Sequence, residues 1–430
     1  MSSLSLCHVP EPRRSDHSPV VNGAVGPAPW SPWRTVFGFG VISLAADLVY
    51  EGARSVYGPL LATLGASALA VGAVTGAGEA AALALRLVSG RVADRTGRYW
   101  ALTISGYVLT AVCVPLLAVT PLLGAAGLAV AAGLILAERV GKAIRSPAKS
   151  ALLADAAGQV GMGRGMGVHK ALDQIGAFAG PLLVAAIVAT AATSAGGLQL
   201  ALAVLAVPGA VAVVLLVVTR RHMPVSSETT VSRPSGAIVA HQDETRLPRA
   251  GLPAAFWWLA AGAALCTAGL VTYGLIGFHL VEQAVVSEAG VPLLYAAAMA
   301  AGAVAALVTG GAYDRFGGRV LVMLPLLVAA TAALAFGDSL ALVLPGVLLW
   351  GFAVGIQDST VKALVADLVP RGRRATAYGW FAAVQGAGAL IGGVGAGVLY
   401  QQSITALVLG VMAVQIAALA VLLVALSSHR

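Results

Sequence analysis

Long apolar runs separated by short polar stretches divide the 430 residues into twelve segments. They fall near 36–62, 68–90, 99–119, 121–144, 166–191 and 197–218, then near 254–281, 290–312, 319–337, 339–366, 376–399 and 403–426. About 20 apolar residues suffice for a helix to cross the hydrocarbon core of a bilayer. The pattern therefore predicts an all-α membrane protein of twelve transmembrane helices. Residues 1–33 carry Pro, Ser, Asp and Arg without an apolar core, which predicts a disordered cytoplasmic tail and not a cleaved signal peptide. A polar linker, 219–252, separates one six-helix bundle at 34–218 from a second at 253–430.

Composition agrees with lipid as the main solvent. The chain is 59% hydrophobic and 10% charged, where a soluble domain carries about 25% charged residues. A net charge of +8 would otherwise suggest nucleic acid as a partner. Here the distribution of the basic residues explains it better. Outside the spans, Lys and Arg occupy the N-terminal tail, the even-numbered loops, the linker and the C-terminus, while the odd-numbered loops hold acids such as Glu282, Glu288 and Asp338. By the positive-inside rule both termini and the linker are cytoplasmic. Cys7, Cys113 and Cys266 are scattered, with no metal or redox spacing, and are expected to be free thiols.

Six spans, a basic linker and six spans suggest duplication, and the residues repeat. Residues 144–180 align without gaps on 356–392, so that Asp155, Gly167, Gly176 and Gly180 meet Asp367, Gly379, Gly388 and Gly392. The stretch Gly90-Arg-Val-Ala-Asp94-Arg95-Thr-Gly97-Arg98 recurs at Gly310 as Gly-Gly-Ala-Tyr-Asp314-Arg315-Phe-Gly317-Gly-Arg319. Two similar halves in one orientation imply a site at their interface near mid-membrane, with the halves rocking about it.

The pattern G-x-x-x-D-R-x-G-R at Gly90–Arg98 resembles the signature between helices 2 and 3 of the major facilitator superfamily, and the resemblance covers about residues 34–428. It implies a secondary transporter with alternating access. Gly90 and Gly97 permit close approach and a tight reversal. Asp94 can face the N-terminus of a helix in the opposite half, where free N–H groups attract an anion. Arg95 and Arg98 can pair with nearby acids. With the second copy at Asp314 and Arg315, this makes a conformational latch on the cytoplasmic side.

Charged residues inside spans are costly, by about 2.5–3.5 kcal/mol on insertion scales, and are functional candidates by default. Spans 3, 6, 9 and 12 have none in their interiors, and the family resemblance places those four against lipid. The first span carries Asp47, Glu51 and Arg54 on one face. The second carries Glu79 and Arg86; the fourth carries a stripe of Glu138, Lys142, Arg145 and Lys149, with Arg139 beside it; the fifth carries His169, Lys170 and Asp173. Gln357, Asp358 and Lys362 lie close together on the tenth span. These residues line a cavity that is ionic on one side and mainly neutral on the other, which suits an amphipathic solute. Asp47, Glu51 and Asp173 are the candidates for proton carriers, since a carboxylate in a low-dielectric cavity gains or loses its proton as cations approach or leave. His169 is either a proton relay or a packed polar residue. The charges could equally form a structural ion-pair network. Tyr273, His279, Tyr295, Trp380 and Gln385 are further candidate contacts.

Two features resemble family antiporters. Arg139-x-Gly141 is similar to an arginine–glycine feature of their fourth helix, with Val140 where that feature has Gln. Gly167, Gly176, Gly180 and Pro181 are similar to the antiporter signature of the fifth helix, with Val184 and Ala185 in place of its closing glycine pair. The resemblance implies proton-coupled efflux of a small amphipathic solute or drug. Uptake of an organic anion and export of a metal ion through Asp47, Glu51 and His169 are the alternatives. No P-loop is present, and Ser146-Pro-Ala-Lys149 has none of the partner motifs of an acyl-enzyme. We expect no enzyme activity and no cofactor, with solute, protons and lipid as the only partners, in a monomer of a bacterial inner membrane.

Overall fold

A computed structural model describes residues 29–223, 252–369 and 374–427. The side chains at 194–195, 314, 359–363, 366–367 and 374–375 are not among those described. Most of the expected tail and linker, residues 1–28 and 224–251, lies outside the described residues, as does Cys7. Cys113 and Cys266 are buried free thiols.

The chain forms α1 (Pro32–Arg54), α2 (Tyr57–Thr63), α3 (Ala68–Thr96), α4 (Tyr99–Leu116), α5 (Gly127–Val160), α6 (Met162–Thr190), α7 (Ser194–Val204) and α8 (Ala206–His222). The second half follows with α9 (Ala254–Gly269), α10 (Tyr273–Glu282), α11 (Gly290–Phe316), α12 (Met323–Ala335), α13 (Leu340–Leu368), α14 (Arg374–Gln402) and α15 (Ile404–Ser427). Among the described residues, eleven stretches are long and apolar enough to cross a membrane, and one of them, Tyr99–Val160, is 62 residues long. That stretch reverses at Gly124, whose φ of 56° lies in the left-handed region. Gly106 then packs on the Gly141 carbonyl, so α4 and α5 are two antiparallel crossings.

Helix ends differ from the apolar runs for identifiable reasons. The fourth crossing begins at Gly127, not 121, because Pro121 and Gly124 interrupt the chain. It runs on to Val160, past the apolar stretch, since alanine-rich sequence continues a helix after the lipid ends. The stretch Gly90–Arg98, expected as a loop, is helical as far as Thr96. Gly97 ends it at φ 64°, its N–H bonded to the Ala93 carbonyl. Pro147, inside α5, has no N–H for the Ala143 carbonyl four residues back, and the Ser89 hydroxyl donates to that oxygen instead (2.7 Å).

Two crossings are broken. The first breaks at Ser55–Val56, between α1 and α2, and the seventh at Leu270–Thr272, between α9 and α10. Irregular backbone at membrane depth needs partners within the protein. Trp350 Nε1 supplies one, donating to the Val271 carbonyl at 2.8 Å. The outer pieces α2 and α10 pack at backbone distance: a Cβ on Gly58 would lie 2.2 Å from the Gly274 carbonyl.

The duplication is visible in packing. Gly176 and Gly180 of α6 press on the Leu44 and Leu48 carbonyls of α1, and Gly388 and Gly392 of α14 press on the Ala264 and Ala268 carbonyls of α9 in the same way. Small residues let helix backbones close to contact in lipid, where no hydrophobic force draws helices together. The halves meet along α3 and α14, antiparallel from Gly72 against Gly393 to Leu87 against Gly379, and along α6 and α11. Crossings 3, 6, 9 and 12 present exposed apolar side chains such as Val112, Val214, Leu326 and Ile416 to the surroundings.

Candidate functional site

A cavity lies between the halves in two joined lobes of about 600 and 330 Å3 that share Glu51, Arg54, Lys142, Val354 and Asp358. The larger lobe follows α3 and α14 to Gly90, Arg91, Asp94, Thr376 and Tyr378, near the helix ends that face the termini. The smaller lobe follows α6 and α11 and includes Asp47, Arg145, Lys149, Lys170 and Asp173. At the opposite face the α2–α10 contact and a Thr75–Thr272 hydroxyl pair (2.7 Å) hold the halves together.

The spacing of charges in the first span, ending at the helix break, aims Glu51 and Arg54 at the junction of the lobes. Arg54 donates to Glu79 Oε1 at 2.6 Å, and Arg139 approaches the same oxygen at 3.4 Å. Arg139 also lies 3.7 Å from Glu138 and over the Tyr50 ring at 4.8 Å. Glu138 and Arg139 are sealed, at 0% and 2% exposure, behind the wall and not on the cavity surface. Lys142 sits 3.8 Å from Glu51 Oε1 and 3.2 Å from the centre of the Tyr50 ring. Arg145 donates to Thr110 and stacks over Tyr107 at 4.7 Å. This network neutralises most of its own charge, as buried ions must.

Glu51 has a further partner that crosses the interface. The hydroxyl of Tyr295, in α11, donates to Glu51 Oε2 at 2.5 Å. Tyr295 itself is buried against Tyr273 and Trp350. Glu51 is thus tied to cations of its own half and to a phenol of the other.

The remaining candidates separate into smaller groups. Asp47 and Asp173 line the smaller lobe together, and Lys170 donates to Asp173 at 2.5 Å. Lys149 donates to Ser43, whose hydroxyl lies 3.5 Å from His169 Nε2. His169 is buried away from the cavity surface. Asp47, Glu51 and His169 therefore do not converge, and among the described residues no three His, Cys, Asp or Glu side chains gather as a metal site would require. Gln357 accepts the Thr267 hydroxyl at 3.1 Å, and Gln385 donates to Thr267 at 3.3 Å. Asp358 lines both lobes, and the Lys362 side chain lies outside the described residues.

Asp94 accepts the Tyr99 hydroxyl at 3.0 Å within its own half, while lining the cavity opposite Thr376 and Tyr378. Arg95 and Arg98 lie at the same end of α3. Arg315 stacks on Phe316 at 5.4 Å, and the Asp314 side chain lies outside the described residues. Gly167 has open space around it, unlike Gly176 and Gly180. Four of the five further expected contacts do not line the cavity: Trp380 is 49% exposed and packs on Trp257, His279 bonds Tyr400 and the Gly337 carbonyl, and Tyr273 and Tyr295 are buried behind the wall; Gln385 does line it. Thr267, Tyr50, Trp350 and Thr110 were not legible as site residues, because uncharged side chains in apolar spans give no signal.

Comparison with known proteins agrees with this architecture. The model of the Major Facilitator Superfamily matches residues 36–287 and again 259–430. Uncharacterised proteins of Mycobacterium bovis and Mycobacterium tuberculosis are 50% identical over 397 residues, 92% of this chain and 94% of theirs. They place the chain among bacterial membrane proteins. Among solved structures, a mutant form of the nucleoside transporter NupG superposes with a TM-score of 0.71 at 14% identity, covering 91% of this chain and 99% of that one. A POT family transporter superposes at 0.69 and 13% identity (92% and 96% covered), and a D-xylose-proton symporter at 0.67 and 13% (90% and 97%). At these identities the likeness concerns the fold. The duplicated bundles, the central cavity and the family match over both halves show that the chain belongs to the major facilitator superfamily of membrane transporters.

Proposed function

We propose that the protein is a monomeric, proton-coupled exporter of a small amphipathic solute, working by alternating access with Glu51 as the coupling carboxylate. The observation that carries this reading is the position of Glu51. It lines both lobes, faces Arg54 and Lys142 of its own half, and accepts a hydrogen bond from Tyr295 of the other. A proton arriving there removes a charge from two cations and weakens the bond that joins the halves. Proton binding and rocking are thereby the same event. Asp47 and Asp173 both line the smaller lobe, on α1 and α6. They are suited to pass protons onward. Asp94, facing Thr376 and Tyr378, is suited to latch the cavity mouth when it closes.

Basic residues at the helix ends beside the termini, including Arg91, Arg95, Arg220 and Arg319, support a cytoplasmic placement of that face in the bacterial inner membrane. The larger lobe extends toward the same face, as expected of a carrier that loads from the cytoplasm. The direction rests on Gly180-Pro181. Gly176 and Gly180 are accounted for by their packing on α1, which leaves Pro181 as the specific antiporter feature.

The test is purified protein in liposomes with an internal pH dye and an imposed proton gradient, probed with aromatic solutes bearing anionic, neutral or cationic heads. Solute-dependent proton flux opposite in direction to solute movement is the expected result. Solute movement in the same direction as protons, or without them, overturns the antiport reading.

A further inference from the structure

The cations of the ionic wall differ in how they are matched. Arg54 and Arg139 share Glu79, Lys142 faces Glu51, and Lys170 holds Asp173. Arg86 is different. It lines the larger lobe, and among the described residues no carboxylate oxygen lies within 4.0 Å of it. Its Nε is buried without a hydrogen-bond partner. A guanidinium in a low-dielectric cavity calls for an anion, and its planar fork suits a carboxylate in two-point contact.

The facing wall carries a second unmatched donor. Gln385, Thr267 and Gln357 form a hydrogen-bonded chain, and Gln357 Nε2 at its end is buried with no partner. Of the buried side-chain atoms that lack partners, these two are the ones whose residues line the larger lobe. Both are donors, and both belong to residues that line the lobe. Leu83 and Phe381 supply apolar surface between them.

We propose that the larger lobe is the solute site and that its solute is an organic anion with a flat apolar body, its carboxylate on Arg86 and a polar group of its far end on Gln357. This rests on reading the protein as a transporter and names the chemistry of what it carries. The remaining ionic wall is then the coupling machinery, and Arg86 is the residue that selects charge.

The experiment is thermal unfolding of the full chain in lipid nanodiscs at low chloride. The probes are a panel of aryl and alkyl carboxylates, each with its matched primary amide and amine. The expected result is a concentration-dependent rise in melting temperature with one or more carboxylates and at least tenfold weaker response to the matched amide. That response is lost in Arg86→Gln and weakened in Arg86→Lys, which keeps charge but not the fork. Gln357→Leu weakens it several-fold. Larger responses to the amines, no response to any carboxylate, or an Arg86→Gln response equal to that of the unaltered protein would each overturn the proposal. Binding is read without transport. Carboxylate binding with no proton flux sinks the antiport reading alone, and flux driven by amines with no carboxylate binding sinks this inference alone.

Discussion

The two halves share a scaffold and differ in their linings. In the first half, α1, α3, α5 and α6 carry a network of arginines, lysines and carboxylates. In the second, α9, α13 and α14 face the same cavity mainly with uncharged side chains, Thr267, Gln357, Gln385 and Trp350, with Asp358 as the described charged exception, and Tyr295 of α11 reaches Glu51 from behind the wall. The backbone contacts that hold each half are the same: Gly180 on Leu48 in one, Gly392 on Ala268 in the other. Packing positions have kept their residues through the duplication while lining positions have changed. The site is therefore a property of the lining and the rocking a property of the scaffold.

This comparison is broken most severely at Glu79. It serves two guanidinium groups, so Glu79→Ala leaves both without their shared partner and should destabilise the protein by on the order of 3 kcal/mol. The effect is read as a fall in melting temperature, or as loss of a monodisperse peak on size exclusion. The next largest effect should be equal in the two halves. A methyl group on Gly180 or Gly392 meets a backbone carbonyl at 2.3 or 2.1 Å. Gly180→Ala and Gly392→Ala should each cost roughly 1–3 kcal/mol through overpacking. A loss in only one of them would show that the halves are not packed alike.

Thr267→Val, in the neutral wall, removes the hydroxyl that bonds both Gln357 and Gln385 and should cost about 1–2 kcal/mol, at about 1 kcal/mol for each uncharged hydrogen bond. It should be distinctly milder than Glu79→Ala in the same unfolding assay. The smallest effect concerns Glu288, in the turn before α11, where burial holds the carboxyl above its ordinary value of 4.5. The fold thus disfavours its ionised form, and that penalty grows as pH rises through the raised value. Glu288→Gln should raise the melting temperature slightly at neutral pH. The gain should vanish in acid, where the native side chain is already protonated.

The crossings themselves were legible because twelve apolar runs have no other use in a chain of this length. Their ends were not, since helices such as α5 run past the lipid on alanine-rich sequence that hydropathy does not mark. Intramembrane charges announced the ionic wall, because each is too costly to be incidental. Their pairing was hidden: Glu51 and Tyr295 are 244 residues apart. Spacing along a span relates residues of one helix only. The neutral wall was legible in part: Gln357 and Gln385 stood out as polar side chains in apolar spans, while Thr267 and Trp350 did not, since Thr and Trp are ordinary residues there. Trp380 was misplaced for a related reason. An aromatic ring suits lipid as well as a cavity, and sequence alone does not say which side of α14 faces in.

The central claim is that the proton on Glu51 and the bond to Tyr295 act as one device. It is tested most directly by a double-mutant cycle of Glu51→Gln and Tyr295→Phe, read as solute-coupled proton flux in liposomes. The account predicts that Glu51→Gln abolishes coupled flux while sparing solute exchange. Tyr295→Phe should shift its pH dependence, and the double variant should be no worse than Glu51→Gln alone. Coupled flux that survives in Glu51→Gln, or strictly additive losses, would contradict it and leave the Glu51 cluster as structural ion pairing.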